Sequence, residues 1–192
     1  MIETLAAVGK EVANEVTVSE VSKTPTFFED ISESKGNTDT PVAKESGEKI
    51  YLITRNESLA GDVHPITGVP FEKRIIELPT EEIIEGVFPE FESIFDAQIP
   101  ENLFNETDYR QFKECNTQLN EAIENSDELK SKFTEEQLEQ IRDGMSDGTA
   151  PDGYVWHHNE ECGKIQLVEY DLHAHTGHTG GRSVWGGGNE NR

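Results

Sequence analysis

The sequence predicts an α+β fold, because β-type and helical patterns occupy successive stretches of the chain instead of alternating. Short apolar runs bounded by Gly and Pro occur in residues 49–88, and a helical apolar period follows in residues 101–145. After residue 150 the pattern indicates a strand, a loop, a second strand and a short helix. We therefore expect a small antiparallel sheet and helices that lead into a compact C-terminal module.

Three β-type runs make up the predicted sheet. They are KIYLITRN in residues 49–56 and the apolar runs at 74–78 and 83–88, each ended by turn-forming residues. We expect an antiparallel sheet of two or three strands. The intervening segment LAGDVHPITGVPF is typical of turns, and we interpret His64, which precedes Pro65, as a turn histidine.

Residues 101–145 are predicted to be helical. An apolar face of about four turns recurs at steps of three and four residues, at Phe112, Cys115, Leu119, Ala122 and Ile123. Thr134 followed by Gln137 fits a capping box, and the apolar stripe after it closes at Gly144 or Gly148. We interpret both stripes as parts of the core and not as a cofactor groove.

The composition indicates a chain that is only partly compact. Hydrophobic residues make up 33% and charged residues 29%, and residues 1–47 are rich in Ser, Thr, Lys, Glu and Pro. We predict a disordered linker at 1–47, a β-rich region at 48–100, and a third region at 101–192. In the last region a helical lead-in precedes a functional module whose core is 150–187.

Five of the six histidines lie between His157 and His178. Imidazole binds divalent transition metals and changes charge near neutral pH, so the cluster indicates metal-assisted hydrolysis or pH-dependent chemistry. The preceding YVW favours a strand that ends at His157 and His158. Because side chains alternate along a strand, these two should point to opposite sides and do different jobs. IQLV is a second predicted strand, and YDLHAHTGH a helical turn broken at Gly177.

The formal net charge of −23 is unusual for a protein that grips nucleic acid, since such proteins commonly present a basic surface. Residues 148–192 hold only six of the 39 acidic residues and three of the 16 basic ones. Most of the acidity thus lies outside the histidine cluster. A bound metal ion would add positive charge to the cluster and favour an anionic substrate.

Cys115 and Cys162 are too few for a disulfide framework and form no CxxC pair. We interpret them as bystanders, with Cys162 as a fallback metal ligand because it follows His158 by four residues.

No apolar run approaches the roughly 20 residues that span a bilayer, so we expect no membrane insertion. The N-terminal residues lack the pattern of a Sec-type signal peptide, which would require another export route.

In the C-terminal module, WHH is followed by LV, then by a His, then by HTGG. This succession resembles the HNH/endonuclease VII superfamily. Within it, the pattern is similar to the WHH-type nucleases found as C-terminal toxin domains of bacterial polymorphic toxins. The resemblance covers 150–187 closely. The run from residue 95 to WHH resembles the helical lead-in of colicin-type toxin nucleases. HPITGVPF and the strands after it resemble the region that precedes the nuclease end in toxins of the LXG kind, which are exported by type VII secretion.

This resemblance implies a ββα-metal module, also called a His-Me finger, with a role for each histidine. It assigns His157 to the metal and His158 to general-base catalysis. His178 and, less directly, His173 would complete the metal site. These two are five residues apart, whereas the colicin-type pair is spaced by four, so stacking on one helical face is not assumed. His175, between them, is the expected bystander.

Other residues near the cluster have weaker assignments. Arg182 in HTGGRSVW is a candidate counter-charge for a phosphate, in a segment whose glycines permit close backbone approach. Asn159, Glu160 and Glu161 are interpreted as solvated loop residues, with a role in orienting the site as the alternative. One divalent metal ion is expected. Imidazole ligands suit Zn, Mn, Ni or Co, and Mg could bind through water.

The leading hypothesis is a metal-dependent endonuclease that hydrolyses phosphodiester bonds of DNA with little sequence preference. As an antibacterial toxin it would be exported by a type VII-like route, act in the cytoplasm of the target cell and require an immunity protein in its producer. One alternative is an RNase toxin of the same fold. Another is a non-catalytic zinc-binding interaction module, which would need a closed site with four protein ligands.

Overall fold

The computed structural model describes residues 49–188, and these form two small β-sheets with helices packed against the second. The predicted linker at 1–47 lies outside the described residues. The strands are β1 (Lys49–Tyr51), β2 (Asp62–Val63), β3 (Pro70–Glu77), β4 (Ile83–Pro89), β5 (Ser93–Gln98), β6 (Tyr154–His158) and β7 (Lys164–Glu169). The helices are α1 (Asp108–Glu124), α2 (Asp127–Lys130), α3 (Glu135–Asp147) and α4 (Tyr170–His175).

The first sheet has the strand order β1-β4-β3-β2. β3 and β4 form the predicted antiparallel hairpin, in which Glu77 lies opposite Ile83. The expectation of two or three antiparallel strands is wrong, because the sheet has four strands and β1 pairs with β4 in parallel. The chain passes from one edge of this sheet to the other between β1 and β2, so no hairpin turn sets the direction of β1. β2 has only two residues, too few to show an alternating pattern.

The second sheet has the order β5-β7-β6 and is antiparallel. The predicted hairpin of β6 and β7 is confirmed, with Trp156 opposite Leu167. β5 was not predicted as a strand. Its register against β7 shifts between Ser93 and Phe95, which interrupts the alternation that identifies a strand in a sequence.

The helices α1 and α3 confirm the predicted helical region. Thr134 and Gln137 form the reciprocal hydrogen bonds of a capping box, and α3 ends at Gly148 in a left-handed conformation with φ of 77°. Both helices pack on the second sheet through one core cluster. Its most deeply buried members include Cys115, Leu119, Ile141, Ile165 and Leu167. Burial of each large aliphatic side chain contributes about 1.5–3 kcal/mol relative to exposure.

The C-terminal module follows the predicted order of hairpin and short helix. α4 begins directly after β7, and the Glu169 side chain accepts a hydrogen bond from Leu172 N at 3.2 Å to cap it. The α+β class and the ββα arrangement bearing the histidines are thereby confirmed. Within residues 49–188, no helix has the length and apolar character needed to cross a membrane.

Candidate metal and base site

The adjacent histidines at the end of β6 point to opposite sides of the second sheet. His157 lies with His173 and His178 near Phe91, whereas His158 lies against α1 and Trp185. The pleat of the strand produces this separation, as the sequence predicts. Both imidazoles are buried.

Three imidazoles converge on one side of β6. His157 Nδ1 is 3.2 Å from His173 Nε2 and 3.3 Å from His178 Nε2. The ring of Phe91 packs against all three at centroid distances of 4.8 to 5.4 Å. We call these three residues the His triad. They form the group of potential metal ligands found among residues 49–188, with their ligand atoms within 4.8 Å of one another.

The spacing of five between His173 and His178 is accommodated by the end of α4. The helix ends at His175, and Thr176 is its C-terminal cap in an extended conformation. His173 therefore comes from the last helical turn and His178 from the loop that follows. The predicted break at Gly177 is close to the observed end of the helix. His175 is exposed and its Nδ1 contacts the Asp171 carbonyl at 2.7 Å, so it lies outside the triad as expected.

The hydrogen bond of His178 selects the ring nitrogen that faces the triad. His178 Nδ1 lies 2.6 Å from the Thr176 carbonyl oxygen, which can only accept, so Nδ1 carries the proton. In the neutral ring, Nε2 then presents a lone pair toward His157. A carbonyl that fixes the tautomer of a ligating histidine is typical of metal centres.

The His triad fits a divalent transition metal. Tetrahedral ligands about 2.0–2.1 Å from a zinc ion are about 3.3 Å apart, which agrees with the two separations from His157 Nδ1, and all three ligand atoms lie within 4.8 Å of one another. Metal ligation also requires neutral imidazole. Burial lowers the pKa of His157 well below its ordinary value, and nearby His178 and His173 lower it further.

The other two rings of the triad are shifted in the same direction. Burial, followed by the charge of His178, lowers the pKa of His173 to about 4. Burial also lowers the pKa of His178, although its contact with the Thr176 carbonyl opposes this and the charge of Arg55 adds to it. At neutral pH the triad thus offers unprotonated nitrogens.

On the opposite side of β6, a buried glutamine holds His158. Gln111 of α1 donates through Nε2 to the carbonyls of Leu103 and Phe104 at 2.7 and 2.8 Å. These two acceptors fix the orientation of the amide, so its Oε1 faces His158 Nε2 at 2.6 Å. An amide oxygen accepts, so His158 Nε2 carries the proton and, in the neutral ring, Nδ1 is the basic nitrogen.

Arg182 and Asp108 complete the surroundings of His158. Arg182 Nη1 donates to Gln111 Oε1 at 2.9 Å and lies 3.1 Å from Asp108 Oδ1. Arg182 Nε also donates to the Gly188 carbonyl at 3.1 Å. The side chain of Arg182 is buried, and Asp108 Oδ1 is 3.8 Å from His158 Nε2. The candidate phosphate ligand therefore lies on the same side of β6 as His158.

A single cavity of about 480 Å³ joins the two sides. It is lined by the His triad and His158, and also by Asp108, Arg182 and Thr179. All of the predicted site residues thus border one space, which is large enough for a substrate group to approach the triad and His158 together.

Two residues that follow the histidine pair are not solvated, so that interpretation is wrong for them. Asn159 donates to Gln166 Oε1 at 3.0 Å, and Trp185 donates to the Asn159 carbonyl at 2.8 Å. Glu160 is buried with one oxygen 3.6 Å from Arg74 Nε, and burial raises the pKa of its carboxyl. Glu161 is exposed, as expected. Trp185 and Gly181, from the C-terminal residues, pack against the Asn159 carbonyl.

The remaining candidates lie away from the triad. Cys162 donates to the Glu77 carbonyl at 3.7 Å and does not belong to the group of potential ligands among the described residues. Cys115 is buried in the helical core, where burial raises the pKa of its thiol. His64 contacts Thr67 in the turn where it was predicted.

Sequence reasoning missed Gln111, Asp108 and Phe91. Gln111 lies beside the apolar face of α1 and is fully buried, which its polarity did not suggest. A glutamine on an otherwise core-facing stripe is the signal that could have identified it. Phe91 and Asp108 carry no local pattern that links them to the histidines.

Comparisons with known proteins agree with the geometry. A family model described as the DNase/tRNase domain of colicin-like bacteriocin matches residues 80–180. The matched range begins in the first sheet and includes all residues of the His triad, His158 and Gln111. No curated protein and no solved structure matches the chain.

Proposed function

Because the chain belongs to the family of DNase/tRNase domains of colicin-like bacteriocins, we propose that it is a metal-dependent endonuclease that cleaves DNA with little sequence preference. The protein is a nuclease toxin domain of the HNH type, which hydrolyses phosphodiester bonds, and bacteriocin domains of this kind act in target cells. DNA as the substrate, the catalytic roles of the residues and the identity of the metal belong to the proposal.

The observation that carries the proposal is the convergence of the His triad beside an independently held histidine on one cavity. We assign His157, His173 and His178 to one divalent ion. When bound, this ion would supply charge stabilisation at the phosphate and its leaving oxygen. Zinc, manganese or nickel suit three imidazoles better than magnesium, which remains an alternative through bound water.

His158 is the proposed general base. Its Nε2–H donates to Gln111, so Nδ1 is the atom that takes a proton from the attacking water. The amide oxygen of Gln111 accepts this hydrogen bond. The amide nitrogen of Gln111 donates to two backbone carbonyls, which fixes the orientation of the amide. The water proton thus moves to a nitrogen whose orientation is set by α1, outside the WHH motif.

Arg182 remains a candidate phosphate ligand. Its guanidinium borders the cavity, which supports the assignment, but it also donates to Gln111 and contacts Asp108. Arg182 therefore has a second contribution in the proposal, since it helps to hold the acceptor of His158 in place.

The decisive experiment compares His158→Ala with His175→Ala. Each full-length variant is incubated with supercoiled plasmid and with RNA, with and without divalent metal. We expect His158→Ala to lose about 10²–10⁴-fold in rate, the usual contribution of a general base. His175→Ala is the matched control because its imidazole is exposed and outside the triad, so it should cleave at the wild-type rate. Full activity of His158→Ala would contradict the assigned base.

An RNase is the alternative within the family, whose description includes both DNases and tRNases. The RNA arm of the experiment addresses it, and a chimeric strand that lacks 2′-hydroxyls tests whether these groups take part. The non-catalytic zinc module loses support because the family consists of nucleases. A closed site would also need a fourth protein ligand, and the fallback Cys162 contacts Glu77 instead.

The biological context is proposed from the resemblance to polymorphic toxins. We infer export by a type VII-like route, action in the cytoplasm of the target cell and an immunity protein in the producer. An immunity protein would be detected by testing whether a protein encoded beside the toxin binds the purified chain and abolishes plasmid cleavage. Cleavage that continues at saturating partner would contradict this role.

A further inference from the structure

We propose that Arg55, in the loop after β1, binds the phosphodiester backbone of the nucleic-acid substrate beside the His triad. The proposal rests on the proposed nuclease function and extends its site to a residue that precedes the family match at 80–180. Proteins that bind nucleic acid neutralise its phosphates with Lys and Arg side chains, which are few in a chain with a net charge of −23. Arg55 is exposed and adjoins the loop that carries His178.

The guanidinium of Arg55 lies directly against the backbone of Gly177. A methyl group added at Gly177 would overlap Arg55 Cζ and Nη2. Gly177 is not among the residues with positive φ, so its backbone conformation does not require glycine. The space that glycine leaves is taken by the guanidinium, one residue before the metal ligand His178.

Two side-chain hydrogen bonds fasten the Arg55 loop to the segment 176–179, and a third joins this segment to the turn that precedes β3. Thr179 Oγ1 accepts from the backbone N–H of Arg55 at 2.9 Å, and Asn56 donates through Nδ2 to the Gly177 carbonyl. The hydroxyls of Thr67 and Thr176 lie 2.6 Å apart. Thr179 also lines the cavity with the His triad. The position of Arg55 relative to the site is therefore set by contacts on both sides of His178.

The charge of Arg55 is available to an anion. Among residues 49–188, no carboxylate forms an ion pair with it. Arg182, by contrast, is buried and contacts Asp108 and Gln111. An exposed guanidinium offers paired donors that match two phosphate oxygens. This chemistry is common to DNA and RNA backbones, so both polymers are included in the test.

The test measures nucleic-acid binding and not cleavage. A negative result for Arg55 can therefore be distinguished from a negative result for the proposed nuclease function. The full chain carrying His158→Ala is titrated with Mn²⁺ present into labelled duplex DNA and single-stranded RNA, at several salt concentrations. In this background, Arg55→Ala is compared with Arg142→Ala. Arg142 is the matched control, because it is also exposed and has no ion pair among the described residues, and it lies on α3.

We expect Arg55→Ala to weaken binding about tenfold or more, the effect of losing a charged hydrogen bond. The slope of log affinity against log salt should fall in magnitude by about 0.9 for the duplex, or about 0.7 for a single strand, because one phosphate contact is lost. Arg142→Ala should change neither. An unchanged slope in Arg55→Ala, or an equal change in Arg142→Ala, would overturn the proposal.

Two further variants separate phosphate binding from support of the metal site. Zn²⁺ affinity, measured by calorimetry, should not fall in Arg55→Ala, and a large loss would show that Arg55 supports the fold of the triad instead. Gly177→Ala should displace the guanidinium and reduce the salt slope although Arg55 is present. In the double variant the two effects should not add. If Gly177→Ala kept the wild-type slope of log affinity against log salt and normal Zn²⁺ affinity, the proposed position of the Arg55 guanidinium against Gly177 would be contradicted.

Discussion

The two sides of β6 place neighbouring histidines in contrasting surroundings. On one side, His157 meets two other imidazoles under the ring of Phe91, and burial lowers the pKa of all three. On the other side, His158 is held by the amide of Gln111 within a network of polar and charged groups. The contrast teaches that the pleat of a strand can send two successive histidines into different environments, one of clustered imidazoles and one of polar and charged groups.

Substitution of a His-triad residue, on what we call the ligand side of β6, should have the largest effect. We expect His157→Ala to lose Zn²⁺ affinity and to lower the plasmid cleavage rate by about 10³-fold or more, since metal assistance supplies several kcal/mol. Calorimetry and plasmid nicking measure the two quantities on one preparation. Cleavage at the wild-type rate after both the substitution and treatment with a chelator would remove the metal from the proposal.

A substitution beside His158, on what we call the base side of β6, should reduce the cleavage rate without affecting metal binding. Gln111→Leu removes the acceptor of His158 Nε2, so the favoured tautomer is no longer fixed and the rate constant should fall by about 10²-fold. The unpaired carbonyls of Leu103 and Phe104 should also cost about 1–3 kcal/mol of stability. Thermal unfolding would establish that the variant is folded. A parallel loss of Zn²⁺ affinity would show that the two sides are not separate.

The ligand side should also make the stability of the metal-free protein depend on pH. The pKa of His173 is about 4 in the folded chain, whereas an unfolded histidine has a pKa of about 6.5. Between these values the unfolded chain binds a proton that the folded chain does not. The free energy of unfolding should therefore fall as the pH drops from about 6.5 to about 4.

The lowered pKa values of His157 and His178 act in the same direction. Denaturant unfolding of His173→Asn should show a weaker pH dependence than that of the wild type. The exposed His175→Asn is the control and should retain the full dependence. Identical pH profiles for wild type and His173→Asn would contradict the neutral, buried state of the triad.

The smallest expected effect is at Glu160, which follows the pair and belongs to neither side. Burial raises the pKa of this carboxyl, so its ionised form destabilises the folded state above that pKa. Glu160→Gln should give a small rise in melting temperature at neutral pH. The gain should disappear below about pH 4, the unfolded value, where the carboxyl is protonated in both states. A loss of stability at neutral pH would mean that the contact with Arg74 dominates.

The local parts of this fold could be predicted from sequence because short-range patterns determine them. The capping box at Thr134, the end of α3 at Gly148 and the strand that places His157 and His158 each depend on neighbouring residues. The parallel pairing of β1 and the recruitment of β5 depend on distant partners, so no local pattern reveals them. Gln111 left a local signal, as a glutamine on a core-facing stripe, but that stripe does not identify its partner His158, which is 47 residues away.

The strand order of the second sheet also has a consequence for the timing of folding during synthesis. β5 is translated before the helices α1, α2 and α3, and its pairing partner β7 is translated after them. At ribosomal rates this delay is on the order of several seconds. β5 therefore stays unpaired while all three helices are being synthesised. The His triad can form only after His178 has left the ribosome. A nascent copy therefore lacks the assembled His triad until His178 has emerged.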